Sequence, residues 1–97
     1  MYAVIFKATV NEFDESYTSM AKRMRDLATT KYGCTQFISC TESNQEIAIS
    51  YWDTLEQIEL WKQDSEHLAA QDLGISKWYK SSHVEVVEII REYKKDT

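Results

Sequence analysis

The first residues alternate. Tyr2, Val4, Phe6, Ala8 and Val10 face one way and Ala3, Ile5, Lys7 and Thr9 the other, a period of two that predicts a strand. After Asn11 to Asp14 the period lengthens: Phe13, Tyr17, Met20, Met24, Leu27 and Ala28 form an apolar stripe along a helix. Asp14 and Glu15 stand at its positive end, Lys31 near its negative end, and Gly33 is a natural stop. Cys34 to Thr41 and Glu46 to Trp52 are two β-rich segments joined by the polar turn Glu42-Ser43-Asn44-Gln45, so they should pair as a hairpin. Asp53 opens a second helical region, with Glu56 in the capping-box position and Leu55, Ile58 and Trp61 as its buried stripe. Asp64 or Ser65 caps a further turn, and Leu68, Ala69 and Leu73 carry its apolar face as far as Gly74. Trp78 to Lys80 is extended or irregular, and Ser82 to Tyr93 is a long final strand.

The order β-α-β-β-α-β predicts an α+β fold: a ferredoxin-like, four-stranded antiparallel sheet with helices on one face. Two helical regions cover only one face of such a sheet, so the other should be polar. It is not. Ile5 and Ala3 oppose Tyr2, Val4, Phe6 and Val10; Ala48 and Trp52 oppose Ile47, Ile49 and Tyr51; Val84, Val86 and Ile90 oppose Val87 and Ile89. A second copy of the chain is the simplest cover, giving a twofold homodimer with sheet packed on sheet.

Composition narrows the class. In 97 residues with no proline and two glycines there is room for one core and no flexible linker, so residues 1–97 are expected to form a single domain. The formal charge of −5 is spread along the chain, and the short basic clusters Lys22-Arg23-Met24-Arg25 and Lys94-Lys95 do not make a nucleic-acid footprint. The acidic balance disfavours an anionic membrane surface, and no apolar run suits a membrane span or a signal peptide. A cytoplasmic protein is expected. Cys34 and Cys40, read as lying on one strand about 20 Å apart, cannot bond to each other. No Cys/His spacing suits zinc, so no metal is expected.

The stretch Ile49-Ser50-Tyr51-Trp52-Asp53, with Trp61-Lys62, His67, Ala70-Gln71, Gly74, Trp78-Tyr79 and the closing Arg91-Glu92-Tyr93, resembles the antibiotic biosynthesis monooxygenase superfamily. The resemblance spans nearly the whole chain. It implies a dimeric α+β barrel and, as activity, cofactor-independent oxygenation of a small aromatic or quinol-type compound. A non-enzymatic small-molecule-binding dimer and a haem-degrading protein are the alternatives. In haem-degrading members an Asn near the end of the first strand, a Trp, and a His ten residues after that Trp form the pattern. The matching positions here are Lys7, Trp61 and Gln71. An amide is a poor axial ligand for haem iron, which leaves His67, one turn earlier, as a substitute. In the cofactor-free oxygenases an amide, a Trp and a Tyr surround the substrate, and Gln57, Trp61 and His67 stand at those positions.

The resemblance thus nominates His67, Trp61 and Gln57 as catalytic residues and implies no cofactor. A histidine of ordinary pKa near about 6.5 suits the proton abstraction such chemistry needs. Trp52, Trp78 and Tyr79 are candidates to line the pocket, since large rings near strand ends can wall a cavity between helix and sheet, and Gln71 joins them at the position the resemblance assigns to a ligand contact. Each has a plainer explanation. Trp61 lies on the apolar stripe of its helix, His67 sits at a helix start between Glu66 and Leu68, and Gln57 and Gln71 are ordinary helix formers.

Overall fold

In a computed structural model that describes residues 1–96, the chain forms β1 (Tyr2–Val10), α1 (Glu15–Thr30), β2 (Gln36–Glu42), β3 (Gln45–Trp52), α2 (Leu55–Lys62), α3 (Ser65–Leu73), a π-helical turn (Gly74–Trp78) and β4 (Tyr79–Glu88). The strands make one antiparallel sheet in the order β2-β3-β1-β4. This is the expected ferredoxin-like arrangement.

Register fixes the two faces. Val4 stands opposite Ser50 and Val86, and Phe37 opposite Ser50, so these residues share the face under the helices. There Val4 and Trp52 join Met24, Leu27 and Ala28 of α1, Cys34, and Ile58 and Trp61 of α2 in one core. A second, smaller cluster of Val10, Tyr17 and Trp78 closes the far end of the sheet. Ile5, Ile49 and Ile38 are aligned on the opposite face, where Ile38 and Ile47 are 41% and 43% exposed.

Local chemistry explains most boundaries. Asp14 caps α1 by accepting the Tyr17 N–H at 2.8 Å. Past its end, Gly33 adopts φ +85°, and the Cys34 N–H returns to the Ala28 carbonyl at 2.9 Å. The capping box of α2 lies one residue later than expected: Thr54, not Asp53, is the cap, and Gln57, not Glu56, completes the box. That shift turns Leu55 to solvent while Ile58 and Trp61 stay buried. Asp64 caps α3 as expected, yet Leu68, Ala69 and Leu73 are not buried. Gly74 does not stop the helix either; the chain tightens into the π turn, which brings Gly74 close under the Tyr79 ring.

The β2–β3 hairpin turns on Ser43 and Asn44 alone, because Glu42 and Gln45 already pair. Ser43 carries a positive φ of 53° there. Cys34 precedes β2 instead of starting it; it is buried and Cys40 exposed, and both are free thiols. The last strand runs from Tyr79 to Glu88, not from Ser82 to Tyr93. It ends where Glu88 meets Tyr2, the first residue of β1. One further bond, from the Ile89 N–H to the Met1 carbonyl at 3.0 Å, completes the contact. No helix among the described residues is long and apolar enough to cross a membrane.

Candidate functional site

The helix-facing side of the sheet is not filled. Ala48 lies between Phe6 and Ser39, and Ala8 between Glu46 and Ser82, so small side chains occupy the middle of the floor. Above them lie α1 and α3, joined by the Arg23–Glu66 ion pair. The result is a cavity of about 640 Å³, floored by the sheet and walled by α1 on one side and by α2, α3 and the π turn on the other. Such a volume suits a small organic ligand.

At one end Trp61 and His67 meet edge to face with ring centroids 4.4 Å apart. Trp61 is held from behind by Trp52, 5.1 Å away between centroids, and from the side by its indole N–H donating to the Met24 carbonyl at 3.2 Å. Its ring therefore serves as wall, with its polar atom already engaged. His67 is fixed through the start of α3. The Asp64 cap accepts the Tyr32 hydroxyl at 2.5 Å, and Glu66 takes a two-pronged hydrogen bond from Arg23 of α1 at 2.6 and 3.1 Å. These ties place His67 on the cavity side of its helix. Burial, with the positive charge of Lys62, holds its pKa below the ordinary value. The imidazole is neutral at neutral pH. One turn later, the Gln71 side-chain amide lies 3.1 Å from His67 Nδ1.

The other end is phenolic and acidic. Tyr17 and Tyr79 pack edge to face, 6.0 Å between centroids, with Phe6 5.3 Å from Tyr79. Glu46 enters from β3 and accepts the Thr41 hydroxyl. Burial, reinforced by the neighbouring Tyr79 and by Glu46, pushes the Tyr17 phenol well above its ordinary range. Burial raises the Tyr79 pKa too. Both phenols stay protonated and can donate.

Of the residues nominated from the sequence, Trp61, His67, Gln71 and Tyr79 border this cavity. Gln57, Trp52 and Trp78 do not. The Gln57 amide oxygen accepts the Asp53 and Thr54 N–H groups at 3.2 Å, so its side chain is spent on the α2 cap. Trp52 is completely buried beneath Trp61, its N–H donating to Ser50 Oγ at 2.8 Å. Trp78 packs against Tyr17, 5.3 Å between centroids, its buried indole N–H without an acceptor. Lys7 points to the opposite face and pairs with Glu85 at 3.4 Å. The sequence reading missed Tyr17, Glu46, Arg25 and Lys62 as cavity residues. A usable signal was present in β3, where Glu46, Ala48, Ser50 and Trp52 share one face. A carboxylate alternating with small residues beside a buried Trp marks unfilled space.

No protein-family model matches the chain. It is 38% identical over 92 residues to the uncharacterized protein YqjZ of Bacillus subtilis (strain 168), covering 94% of this chain and 81% of the relative. The chain belongs to the YqjZ family. The fold is shared with solved structures of far lower identity. SnoaB, a cofactor-independent oxygenase from Streptomyces nogalater, superposes with a TM-score of 0.80 at 11% identity over 97% of both chains. Rv0793 from Mycobacterium tuberculosis gives 0.81 at 10% identity, covering 96% of this chain and 98% of its own. A putative antibiotic biosynthesis monooxygenase from Nitrosomonas europaea gives 0.76 at 14% identity, over 94% of this chain and all of the other. The architecture of this YqjZ-family chain is the fold these three solved structures share.

Proposed function

We propose that the protein is a cofactor-independent monooxygenase acting on a small aromatic or quinol-type compound, working as a homodimer. The observation that carries the reading is the pairing of Trp61 with a neutral His67 on the wall of an apolar cavity. An electron-rich phenolate or enolate can pass an electron to oxygen without a cofactor, so the protein's task is to make that anion and keep water away. His67 takes the hydroxyl proton. The resulting carbanion-like centre and oxygen combine through one-electron transfer and radical recombination to a peroxide. For a methylene carbon, loss of water then leaves a carbonyl: the substrate and one O₂ give ketone and H₂O, with the substrate as sole reductant. Tyr17 and Tyr79 donate hydrogen bonds to oxygens at the far end.

Oxygen uptake with dithranol-type and quinol substrates tests this. Uptake that His67→Ala abolishes is expected; no uptake above that variant across the panel removes the catalytic reading. The second reading, a non-enzymatic binding dimer, is favoured by one specific contact. As oriented, the Gln71 amide N–H donates to His67 Nδ1, which puts the imidazole proton on Nε2 and leaves no free base. Rotation of the amide reverses both roles. The pH profile of Gln71→Glu separates the two readings, since a carboxylate there keeps the proton on Nδ1 and frees Nε2. Haem degradation is not favoured, because Gln71 offers an amide at the position the resemblance assigns to the ligating imidazole.

The homodimer rests on the exposed isoleucines of the open face. Sedimentation should give a dimer at micromolar concentration, and the Ile38→Lys/Ile47→Lys double variant a monomer. A wild-type monomer would refute it.

A further inference from the structure

The helical layer distributes its positive charges unevenly. Lys22 pairs with Asp26 at 2.8 Å, Arg23 with Glu66 at 2.6 Å, Lys31 with Asp64 at 3.7 Å and Lys77 with Asp14 at 3.4 Å. Among the described residues, Arg25 and Lys62 have no carboxylate within 4.0 Å, and both border the cavity. In a chain with 16 acidic against 11 basic residues, two uncompensated cations at one cavity call for an explanation. Arg25 is also held in position. Its guanidinium lies 5.2 Å over the Phe37 ring and donates one hydrogen bond to Ser39 Oγ, which leaves further donors of the fork unused. Phe37 in turn stands edge to face with Trp61, 6.3 Å between centroids, and Lys62 follows Trp61 in α2. Arg25, Lys62 and the Trp61–His67 pair therefore share one end of the cavity.

The opposite end bears the reverse character. From Arg25 back to Thr18, both on the cavity wall, is seven residues of α1, or about 10 Å at 1.5 Å per residue. There stand the Glu46 carboxylate and the Tyr17 and Tyr79 hydroxyls. Glu46 would repel an anion and accept a hydrogen bond from a hydroxyl. The cavity is polarised along its length.

We propose that the cavity is built for a flat aromatic acid, its anionic oxygens held by Arg25 and Lys62 and a hydroxyl on its far ring directed to Glu46 and the two tyrosines. This rests on the cavity being the ligand site, as proposed above, and not on any oxidation occurring there. Arg25 and Lys62 set specificity. The shared chemistry is an anionic oxygen on an aromatic frame, which a carboxylate or an ionised phenol can supply.

Quenching of tryptophan fluorescence by hydroxynaphthoate, its methyl ester and naphthol is the direct test, with calorimetry as a second readout. The free acid should bind about tenfold or more tighter than the ester, in keeping with a charge-assisted contact. Arg25→Gln/Lys62→Gln should erase most of that preference by weakening the acid far more than the ester, whereas Lys80→Gln, outside the cavity, should preserve it. Near-ultraviolet circular dichroism checks that each variant is folded. If naphthol tightens as pH rises through its ionisation, and the double variant abolishes the gain, an ionised phenol is a sufficient anion; a preference confined to the acid identifies a carboxylate. Equal binding of acid and ester, with no gain on naphthol ionisation, overturns the proposal, as does a preference that survives in the double variant. Oxygen uptake is followed separately. Selective binding without turnover of any compound removes the oxygenase and leaves this inference standing. Turnover without selectivity for the anion does the opposite.

Discussion

The two ends of the helical layer are built differently. Around Trp52, residues from α1, α2, β1 and β3 close over one another, and the α2 cap is doubly satisfied. Around α3, no side chain is fully buried, Leu68 is 51% exposed and Ile75 79%, and the helix borders empty space. The difference separates scaffold from candidate site. Close packing holds the Trp61 ring in place, while the loosely seated α3 supplies the wall that a ligand would complete. Low local stability is expected where binding elements are found.

Removing a large side chain from each end should separate the two most clearly. Trp52→Ala should lose about 3–5 kcal/mol, because it takes a completely buried ring from a core that cannot collapse around the gap. Leu68→Ala should lose less than about 1 kcal/mol, since most of that side chain already faces water. Urea unfolding of the two variants measures both. Similar losses would mean that α3 is packed as firmly as α2, and the distinction would fall.

A smaller effect is expected where the π turn meets the cavity. A Cβ at Gly74 would lie 2.5 Å from Cε2 and 2.7 Å from Cδ2 of Tyr79, so the ring must move into the space shared with Phe6 and Tyr17. Gly74→Ala should cost about 1–2 kcal/mol, the overpacking strain exceeding the gain in helix propensity. Adding Tyr79→Ala should recover most of that strain. Equilibrium unfolding of the single and double variants decides, and additive losses would show that the two positions do not meet.

These two ends also differ in how plainly the sequence announced them. The strand alternation, the stripe of α1 and the count of elements gave the sheet and its helices because burial on one face imposes a period. Where burial is incomplete the period misleads. Leu68, Ala69 and Leu73 have helical spacing and look like a core face, yet they are exposed, and the α3 residues turned to the cavity are His67, Ala70 and Gln71. Gln57 was legible as a helix former but not as a cap, since a one-residue shift between Asp53 and Thr54 exchanges the partner of the box. The candidate site was half legible. Trp61, His67 and Gln71 came through resemblance and Tyr79 as a large ring near a strand end, while Arg25 and Glu46 reach the cavity from α1 and β3 through pairings that only the folded register creates.

Acidification should act on the site end in particular. Burial and Lys62 lower the His67 pKa in the folded state, so on acidification the unfolded chain takes up this proton first. The stability due to a neutral His67 is therefore fully present above about pH 6.5, the unfolded value, and is lost as pH falls toward the lowered folded value. Between pH 7 and 5 the wild type should lose more stability than His67→Gln. Parallel urea midpoints for the two proteins would show that His67 is not desolvated, and with that the neutral base at Trp61 would go.

The smallest expected change lies outside both ends, in the β2–β3 hairpin. Ser43 holds a φ of 53°, a left-handed value that strains a residue with a Cβ and that glycine reaches freely. In Ser43→Gly the relief of strain is offset in part by the greater entropy glycine gives the unfolded chain, so a net gain of about 0.5 kcal/mol is expected. Thermal unfolding should show a slightly raised midpoint. Because Thr41 donates to Glu46 from the same hairpin, the variant also asks whether the turn is coupled to the cavity. Unchanged ligand affinity with a higher midpoint would confine the turn's role to the scaffold; altered affinity would mean that the position of Glu46 depends on the exact path of this turn.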